Sequence, residues 1–181
     1  MYFADLSPYG YSPRVASEDD PPVLSVGWLD AQHPYPTGDV PDAVAQCLWE
    51  YCRIRVEATR GLHECELCPK LEPGRHVTRE GETLLLGSAE IRVFAEGVVF
   101  AAPNLVYHYV VDHHYLPPDE FLRAILDGKP RPGTAEYAAL VAEYDPALAP
   151  REIRGIKVNP IDRGEGHGEG HGERRGEGGR K

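Results

Sequence analysis

Four short apolar segments have the length and residue types of β-strands. Residues 23–29 are apolar and partly β-branched, and similar runs follow at 83–86, 89–94 and 98–101. The last two runs are joined by Ala95-Glu96-Gly97, a connection short enough to favour an antiparallel hairpin. The pattern therefore predicts a small antiparallel sheet.

Apolar residues recur at helical spacing in four further segments. These segments are residues 41–53, 103–114, 119–126 and 134–143. Pro103 suits the first position of a helix, where no backbone donor is needed, and Thr134 is a favourable capping residue. Strands and helices together predict an α+β fold, in which a small antiparallel sheet is packed with three to four helices and a metal-pinned loop.

Segments rich in proline, glycine and polar residues divide the chain into one domain and its extensions. Residues 1–22 are rich in proline and tyrosine and predict an irregular arm, and residues 23–145 form the globular α+β domain. Residues 146–162 are predicted to be an extended segment. Residues 163–181 contain only glycine, charged residues and histidine, so they lack apolar surface to bury and are predicted to be disordered.

Charge and composition narrow the classes of function. Hydrophobic residues make up 41% of the chain, enough for a packed core, and the formal net charge is -10. An acidic surface repels nucleic-acid backbones and anionic lipid, so a nucleic-acid partner is not expected. There is no run of about 18 apolar residues and no signal-peptide pattern. We therefore expect a cytoplasmic protein without a membrane partner, whose cysteines are thiols or metal ligands.

The segment His63-Glu64-Cys65-Glu66-Leu67-Cys68 carries the strongest chemical signal. Two cysteines separated by two residues can direct both thiolates at one tetrahedral ion, and His63 is placed to join them. The surrounding residues 60–81 have no apolar period and predict a long loop, which a metal would hold in place. The sequence therefore predicts a zinc site in which His63, Cys65 and Cys68 are ligands.

A fourth ligand must come from elsewhere in the chain, and the sequence leaves several candidates. His108 is preferred, because Asp112 follows one helical turn later and can orient its imidazole. The other candidates are Cys52, His76, His113 and His114. Cys52 shares the apolar face of its helix and is better explained as a core thiol. The histidine pair ends a helix, where a protonated imidazole interacts favourably with the helix dipole.

Several blocks of the sequence resemble a family that has no established activity. They include the segment from His63 to Cys68 and Leu86-Gly87-Ser88-Ala89-Glu90-Ile91-Arg92-Val93. The resemblance covers roughly residues 2–126 and is to an uncharacterised bacterial family. It implies a small bacterial cytosolic protein and assigns no function.

The predicted function therefore depends on the residues themselves. We expect a zinc-binding adaptor module with a structural metal site that recruits a protein partner. The alternative is a metal-dependent, hydrolase-like enzyme with an open metal position, in which Glu64, Glu66 or Asp112 carries protons. A redox role for the cysteine pair is disfavoured, because proline and glycine follow the pair where a helix would be needed. No catalytic residue is assigned.

Overall fold

The computed structural model of the chain describes residues 1–11, 20–69, 75–146, 151–153 and 156–158. The strands are β1 (Val23–Ser25), β2 (Arg75–Arg79), β3 (Glu82–Leu86), β4 (Glu90–Ala95), β5 (Val98–Pro103), β6 (Arg151–Ile153) and β7 (Ile156–Val158). The helices are α1 (Asp42–Cys52), α2 (Val106–Asp112), α3 (Asp119–Asp127) and α4 (Ala135–Tyr144). The predicted α+β class is confirmed.

A three-stranded sheet with the order β1-β5-β4 forms the centre of the fold. The predicted hairpin of β4 and β5 is antiparallel, and its register aligns Ile91 with Ala102. By contrast, β1 pairs with β5 in parallel, with Val23 opposite Val99. A parallel neighbour requires a long connection, and the chain between β1 and β5 contains α1 and three strands.

A separate antiparallel pair, β2 and β3, lies within and beyond the predicted loop. The expectation that residues 60–81 contain no regular structure is wrong for β2. Val77, opposite Leu84, is the only large aliphatic residue of β2, so this strand has no alternating apolar pattern. The hydrogen bonds of β2 to β3, rather than burial of an apolar face, explain why these residues form a strand.

Helices α1 and α3 cover one side of the central sheet, where both contact β4, and α1 also packs against α2. The prediction that Pro103 opens a helix is wrong, because Pro103 ends β5 opposite Glu90 and α2 begins at Val106. Thr134 does cap α4, since its side chain accepts a hydrogen bond from the Tyr137 amide. Among the described residues, no helix combines the length and apolarity needed to cross a bilayer.

The N-terminal residues lie along the outer edge of β1. The amide of Leu6 donates to the Ser25 carbonyl at 2.8 Å, and the amide of Tyr9 donates to the Val23 carbonyl at 2.9 Å. The edge of the sheet is therefore covered, which reduces its tendency to pair with other chains. Of the predicted extended segment, the described residues form the antiparallel pair of β6 and β7. The predicted disordered tail, residues 163–181, lies outside the described residues.

Candidate metal centre

Two cysteines from a loop meet one histidine from within α2 and one that directly follows this helix. Cys65 and Cys68 lie in the segment after α1, where a turn lets the Cys68 amide donate to the Cys65 carbonyl at 3.3 Å. His108 lies in α2, and His113 directly follows the last residue of that helix. The four candidate ligand atoms all lie within 4.8 Å of one another.

The distances between these atoms suit a tetrahedral ion of the size of zinc. Sγ of Cys68 lies 3.3 Å from Nε2 of His108 and 3.5 Å from Nε2 of His113, and the two nitrogens are 3.1 Å apart. Sγ of Cys65 lies 3.3 Å from Nε2 of His113. Bonds of about 2.3 Å to sulfur and about 2.05 Å to nitrogen give tetrahedral edges of about 3.5 Å for S···N and about 3.3 Å for N···N. The group can therefore hold a metal ion.

Asp112 prepares the imidazole of His108 for metal binding. Its Oδ2 lies 2.5 Å from Nδ1 of His108, one helical turn earlier. Because a carboxylate only accepts hydrogen bonds, Nδ1 carries the proton, and the lone pair of Nε2 can face the Cys68 thiol. Such a carboxylate–histidine pair fixes the ring and increases its basicity toward a metal.

Burial shapes the electrostatics of the cysteine pair. Cys65 is buried and Cys68 half-buried, and burial raises the pKa of the Cys65 thiol to about 11 when no cation is present. Burial also raises the pKa of Tyr109, and the nearby charges of Cys65 and Glu66 raise it further. A bound cation would stabilise both thiolates, so metal uptake would release protons.

The structure brings together three of the four ligands named from the sequence, namely Cys65, Cys68 and His108. His63 is not part of the cluster, because its Nε2 lies 3.3 Å from the hydroxyl of Tyr11. Its backbone is bound to the sheet, with the amide donating to the Gly87 carbonyl at 2.6 Å. The close approach of the loop to Gly87 therefore turns the His63 side chain to a different environment from that of the cysteines.

His113 stands where His63 was expected. A residue five positions after His108 lies on a different face of a continuous helix, so helical period alone does not join the two rings. The helix ends at Asp112, and His113 has φ -114° and ψ 8°. This change of backbone conformation brings its ring within 4.7 Å of the His108 ring. The signal in the sequence was a histidine directly at a predicted helix end.

The remaining candidates for a ligand lie apart from the cluster. Cys52 is buried, and its thiol donates to the Asn104 carbonyl at 3.4 Å. His76 is exposed on β2. His114 has a φ of 52° and is exposed, with Nδ1 at 3.8 Å from Asp39. The core role expected for Cys52 agrees with this position.

Residues 1–126 match a family described as a domain of unknown function, DUF7919. The chain belongs to this family. All four residues of the cluster lie inside the matched part, whereas α4 lies beyond it. No curated protein and no solved structure matches the chain. The resemblance found in the sequence is thus confirmed, and the function has to be inferred from the site.

A small concave pocket, with a volume of about 50 Å³, adjoins the cluster in the DUF7919 domain. His63, Glu64 and Glu66, on both sides of Cys65, form part of one wall. Leu105 and Tyr109, on both sides of His108, form part of another. The same two segments therefore supply the candidate metal ligands and shape the pocket.

A buried charged network borders this pocket. Glu90, one of the lining residues, and Arg92 are both almost completely buried, and Nη1 of Arg92 lies 2.5 Å from Oε2 of Glu90. The Tyr9 hydroxyl donates to the same carboxylate at 2.7 Å. Burial opposes the charge of Arg92, but Glu90 and Tyr9 outweigh it and raise the pKa of the guanidinium. The network fixes the position of the Glu90 carboxylate.

Proposed function

We propose that the protein is a small binding module stabilised by a structural zinc ion, which Cys65, Cys68, His108 and His113 hold. The agreement of the Sγ and Nε2 distances with tetrahedral edges carries this proposal. Two thiolates and two imidazoles bind zinc rather than magnesium or calcium, because magnesium and calcium select oxygen ligands.

A structural role is favoured over a catalytic one by the number of ligands. Four protein side chains fill a tetrahedral coordination shell, whereas a catalytic zinc keeps one position for water or substrate. His108 is completely buried and Cys65 almost so, which supports a closed site. In this proposal the ion serves to hold the structure together.

Besides the burial of Cys65 and an exposed ion pair of Glu66 with the Met1 ammonium, the contacts of the segment that the ion would hold are concentrated at its near end. Backbone hydrogen bonds tie it to the sheet through Val56 and Glu90, through Thr59 and Ser88, and through His63 and Gly87. Beyond His63, the turn of Cys65 to Cys68 is directed at α2. A zinc ion would link this turn to His108 and His113 and so join the loop to the helix.

The enzyme alternative receives support from one feature, the pocket that contains Glu64 and Glu66 close to the candidate metal centre. Metal-assisted hydrolysis would require water to replace one of the four ligands, with a glutamate as proton carrier. Loss of the half-buried His113 from the metal would open such a position. We place this function second, because it needs a ligand arrangement different from the one in the structure.

A protein remains the partner we propose for the module. Among the described residues, the large apolar side chains exposed to solvent are those of Met1, Leu62 and Val111. Leu62 directly precedes His63, and Val111 lies in α2, so both belong to the segments joined at the metal centre. The net charge of -10 argues against a nucleic-acid partner.

Metal content tests the proposed site. Elemental mass spectrometry on untagged protein, purified without chelator, should find one zinc per chain. Cys68→Ser and His113→Ala should lose most of it, while His63→Ala should retain it because His63 lies outside the cluster. Cys47→Ser is the matched control, since Cys47 is a half-buried thiol outside the cluster.

Two results would contradict the proposal. If the wild-type chain contains no zinc, the cysteines and histidines form a hydrogen-bonded cluster only. If His63→Ala loses zinc and His113→Ala does not, His63 rather than His113 completes the site. Replacement of zinc by cobalt gives a second measurement, because tetrahedral cobalt with thiolate ligands is coloured and reports the coordination directly.

A further inference from the structure

We propose that the candidate metal centre is a redox switch, in which hydrogen peroxide oxidises Cys65 and Cys68 to a disulfide and the metal ion is released. This inference rests on the proposed function, because it requires a zinc ion held by the cluster of two cysteines and two histidines. It goes further by assigning a reaction to the cysteines and a condition under which the ion leaves.

The geometry of the cysteine turn allows a disulfide to form. The Cys68 amide donates to the Cys65 carbonyl at 3.3 Å, which closes a turn of four residues. Such a turn places its end Cα atoms within about 7 Å of each other, and a disulfide joins Cα atoms about 4.4–6.8 Å apart. Both cysteines are free thiols, and their Sγ atoms lie within 4.8 Å of one another. The bond can therefore form within the turn, without rearrangement of the central sheet.

The two thiols differ in their exposure to solvent, which assigns them different roles. Cys65 is buried, whereas Cys68 is half-buried and precedes the exposed Pro69. Glu66, inside the turn, is also exposed, so the turn lies at the surface of the protein. A peroxide in solution would therefore reach the Cys68 sulfur first, and Cys65 would resolve the intermediate.

The reaction has two steps that balance with one molecule of hydrogen peroxide. When zinc is bound, both sulfurs are thiolates, the nucleophilic form of cysteine. The Cys68 thiolate attacks a peroxide oxygen, so that an S–O bond forms, the O–O bond breaks and hydroxide leaves. The Cys65 thiolate then attacks the sulfur of this sulfenic acid, so that an S–S bond forms, the S–O bond breaks and a second hydroxide leaves. The cysteine pair loses two electrons to the peroxide, and both hydroxides take up protons from solvent.

Disulfide formation would remove two of the four ligands at once. Disulfide sulfurs carry no negative charge, so the ion would keep only the imidazoles of His108 and His113. These histidines lie in α2 and directly after it, whereas the cysteines belong to the loop. Oxidation would therefore release the ion and also break the link between loop and helix.

This switch differs from the exchange chemistry of thioredoxin-type enzymes. In such enzymes the attacking thiolate is stabilised by the N-terminus of a helix. The next described element after Cys68 is β2, not a helix. In the switch the metal ion would stabilise the thiolates instead, so the cysteines react without a helix behind them.

Titration of the zinc-loaded full chain with hydrogen peroxide tests the switch. Zinc content is measured first by elemental mass spectrometry, and released zinc is then followed with a chromogenic chelator. Trypsin cuts after Arg60 and Lys70, so both cysteines fall in one peptide that contains neither Cys47 nor Cys52. Bound zinc should fall to none as this peptide gains an internal disulfide, with about one ion released per disulfide. Dithiothreitol followed by added zinc should restore the starting state.

The chain offers a matched control in Cys47→Ser, because Cys47 is half-buried like Cys68 but lies outside the cluster. This variant should release zinc at the same peroxide concentration as the wild type. Amide hydrogen exchange should become faster in residues 64–68 after oxidation and should stay unchanged in β4 and β5, because only the loop loses its link to α2.

The outcomes separate the switch from the metal site. Zinc-loaded protein that retains its zinc under peroxide concentrations that fully oxidise free glutathione would overturn the switch and leave the metal site standing. Zinc release with Cys65 or Cys68 found as a sulfonic acid, or in a disulfide with another cysteine, would also overturn the switch, because neither product is the predicted reversible pair. Protein purified without zinc would overturn the metal site, and the switch with it.

Discussion

Replacing Gly87 by alanine should destabilise the protein at the point where the loop that carries Cys65 and Cys68 contacts the sheet. Gly87 has a φ of 93°, a conformation that L side chains rarely adopt. A Cβ atom there would lie 2.4 Å from the backbone oxygen of His63. The obstacle is backbone rather than a flexible side chain, so the loop itself would have to move. Cys65 lies only two residues further along that loop.

The loss of stability in Gly87→Ala has two components, backbone strain and steric overlap. A substitution at a second glycine, Gly81, measures the first of them alone. A positive φ costs an L-residue about 1–2 kcal/mol, and an overlap that shifts packed atoms adds about 1–3 kcal/mol. Gly81, in the turn between β2 and β3, has a φ of 86° and no atom within 4 Å of an added Cβ. Gly81→Ala should therefore show the first component alone, and Gly87→Ala should show both.

Chemical denaturation of the two variants and the wild type measures the difference. The free energy of unfolding should fall by about 1–2 kcal/mol for Gly81→Ala and by about 2–5 kcal/mol for Gly87→Ala. In thermal unfolding, the extra loss corresponds to a midpoint lower by about 3–9 °C, at about 3 °C per kcal/mol for a domain of this size. Gly87→Ala should also weaken zinc binding in a competition with a chromogenic chelator, because the loop is displaced near Cys65.

Equal losses of stability for the two variants would refute this reasoning, since they would show that the contact with His63 contributes nothing beyond backbone strain. A loss confined to zinc affinity, with unchanged stability of the metal-free protein, would place the effect in the turn from Cys65 to Cys68 alone.

Two further predictions concern charged groups near the site. Asp112→Asn should weaken zinc affinity about 10- to 100-fold, measured by chelator competition, because the carboxylate that orients His108 is lost; Asp127→Asn, exposed at the end of α3, should leave the affinity unchanged. Glu90→Gln should lower the free energy of unfolding by about 3–5 kcal/mol in urea titrations, because it leaves the charge of Arg92 buried without its partner. A loss below about 1 kcal/mol would show that the pair is solvated.

Elements with a complete local signal could be predicted from the sequence. Helix α4 has its capping threonine, and the β4–β5 hairpin has a short turn containing glycine, so each is specified within about ten residues. The boundary of α2 could not be predicted. Pro103 is compatible with a helix start, but its pairing with Glu90 across the sheet holds it in β5. The competing interaction is thirteen residues away by number, beyond the reach of a local pattern.

The same distinction explains which parts of the candidate site were predicted. The spacing of Cys65 and Cys68 is a local signal for metal binding, and the Asp112 carboxylate one turn after His108 is another. His63 satisfies the local spacing as well. Its exclusion from the cluster depends on a backbone contact with Gly87, which is visible only after the loop is placed on the sheet. Spacing therefore identifies residues that can bind a metal, while packing decides which of them lie close enough together to share one ion.

The distribution of apolar residues explains how a metal at this position would stabilise the protein. The buried core is supplied by the central sheet and the helices around it, and the turn from Cys65 to Cys68 adds the buried Cys65, with Leu67 and Cys68 only partly buried against it. A segment with so little apolar surface gains too little from burial to offset the entropy of ordering it. Coordination of a metal by four side chains would supply free energy at this point and, because Glu64, Glu66 and Tyr109 flank the candidate ligands, would also position the walls of the pocket. On this argument, loss of the metal should disorder the pocket before it disturbs the central sheet.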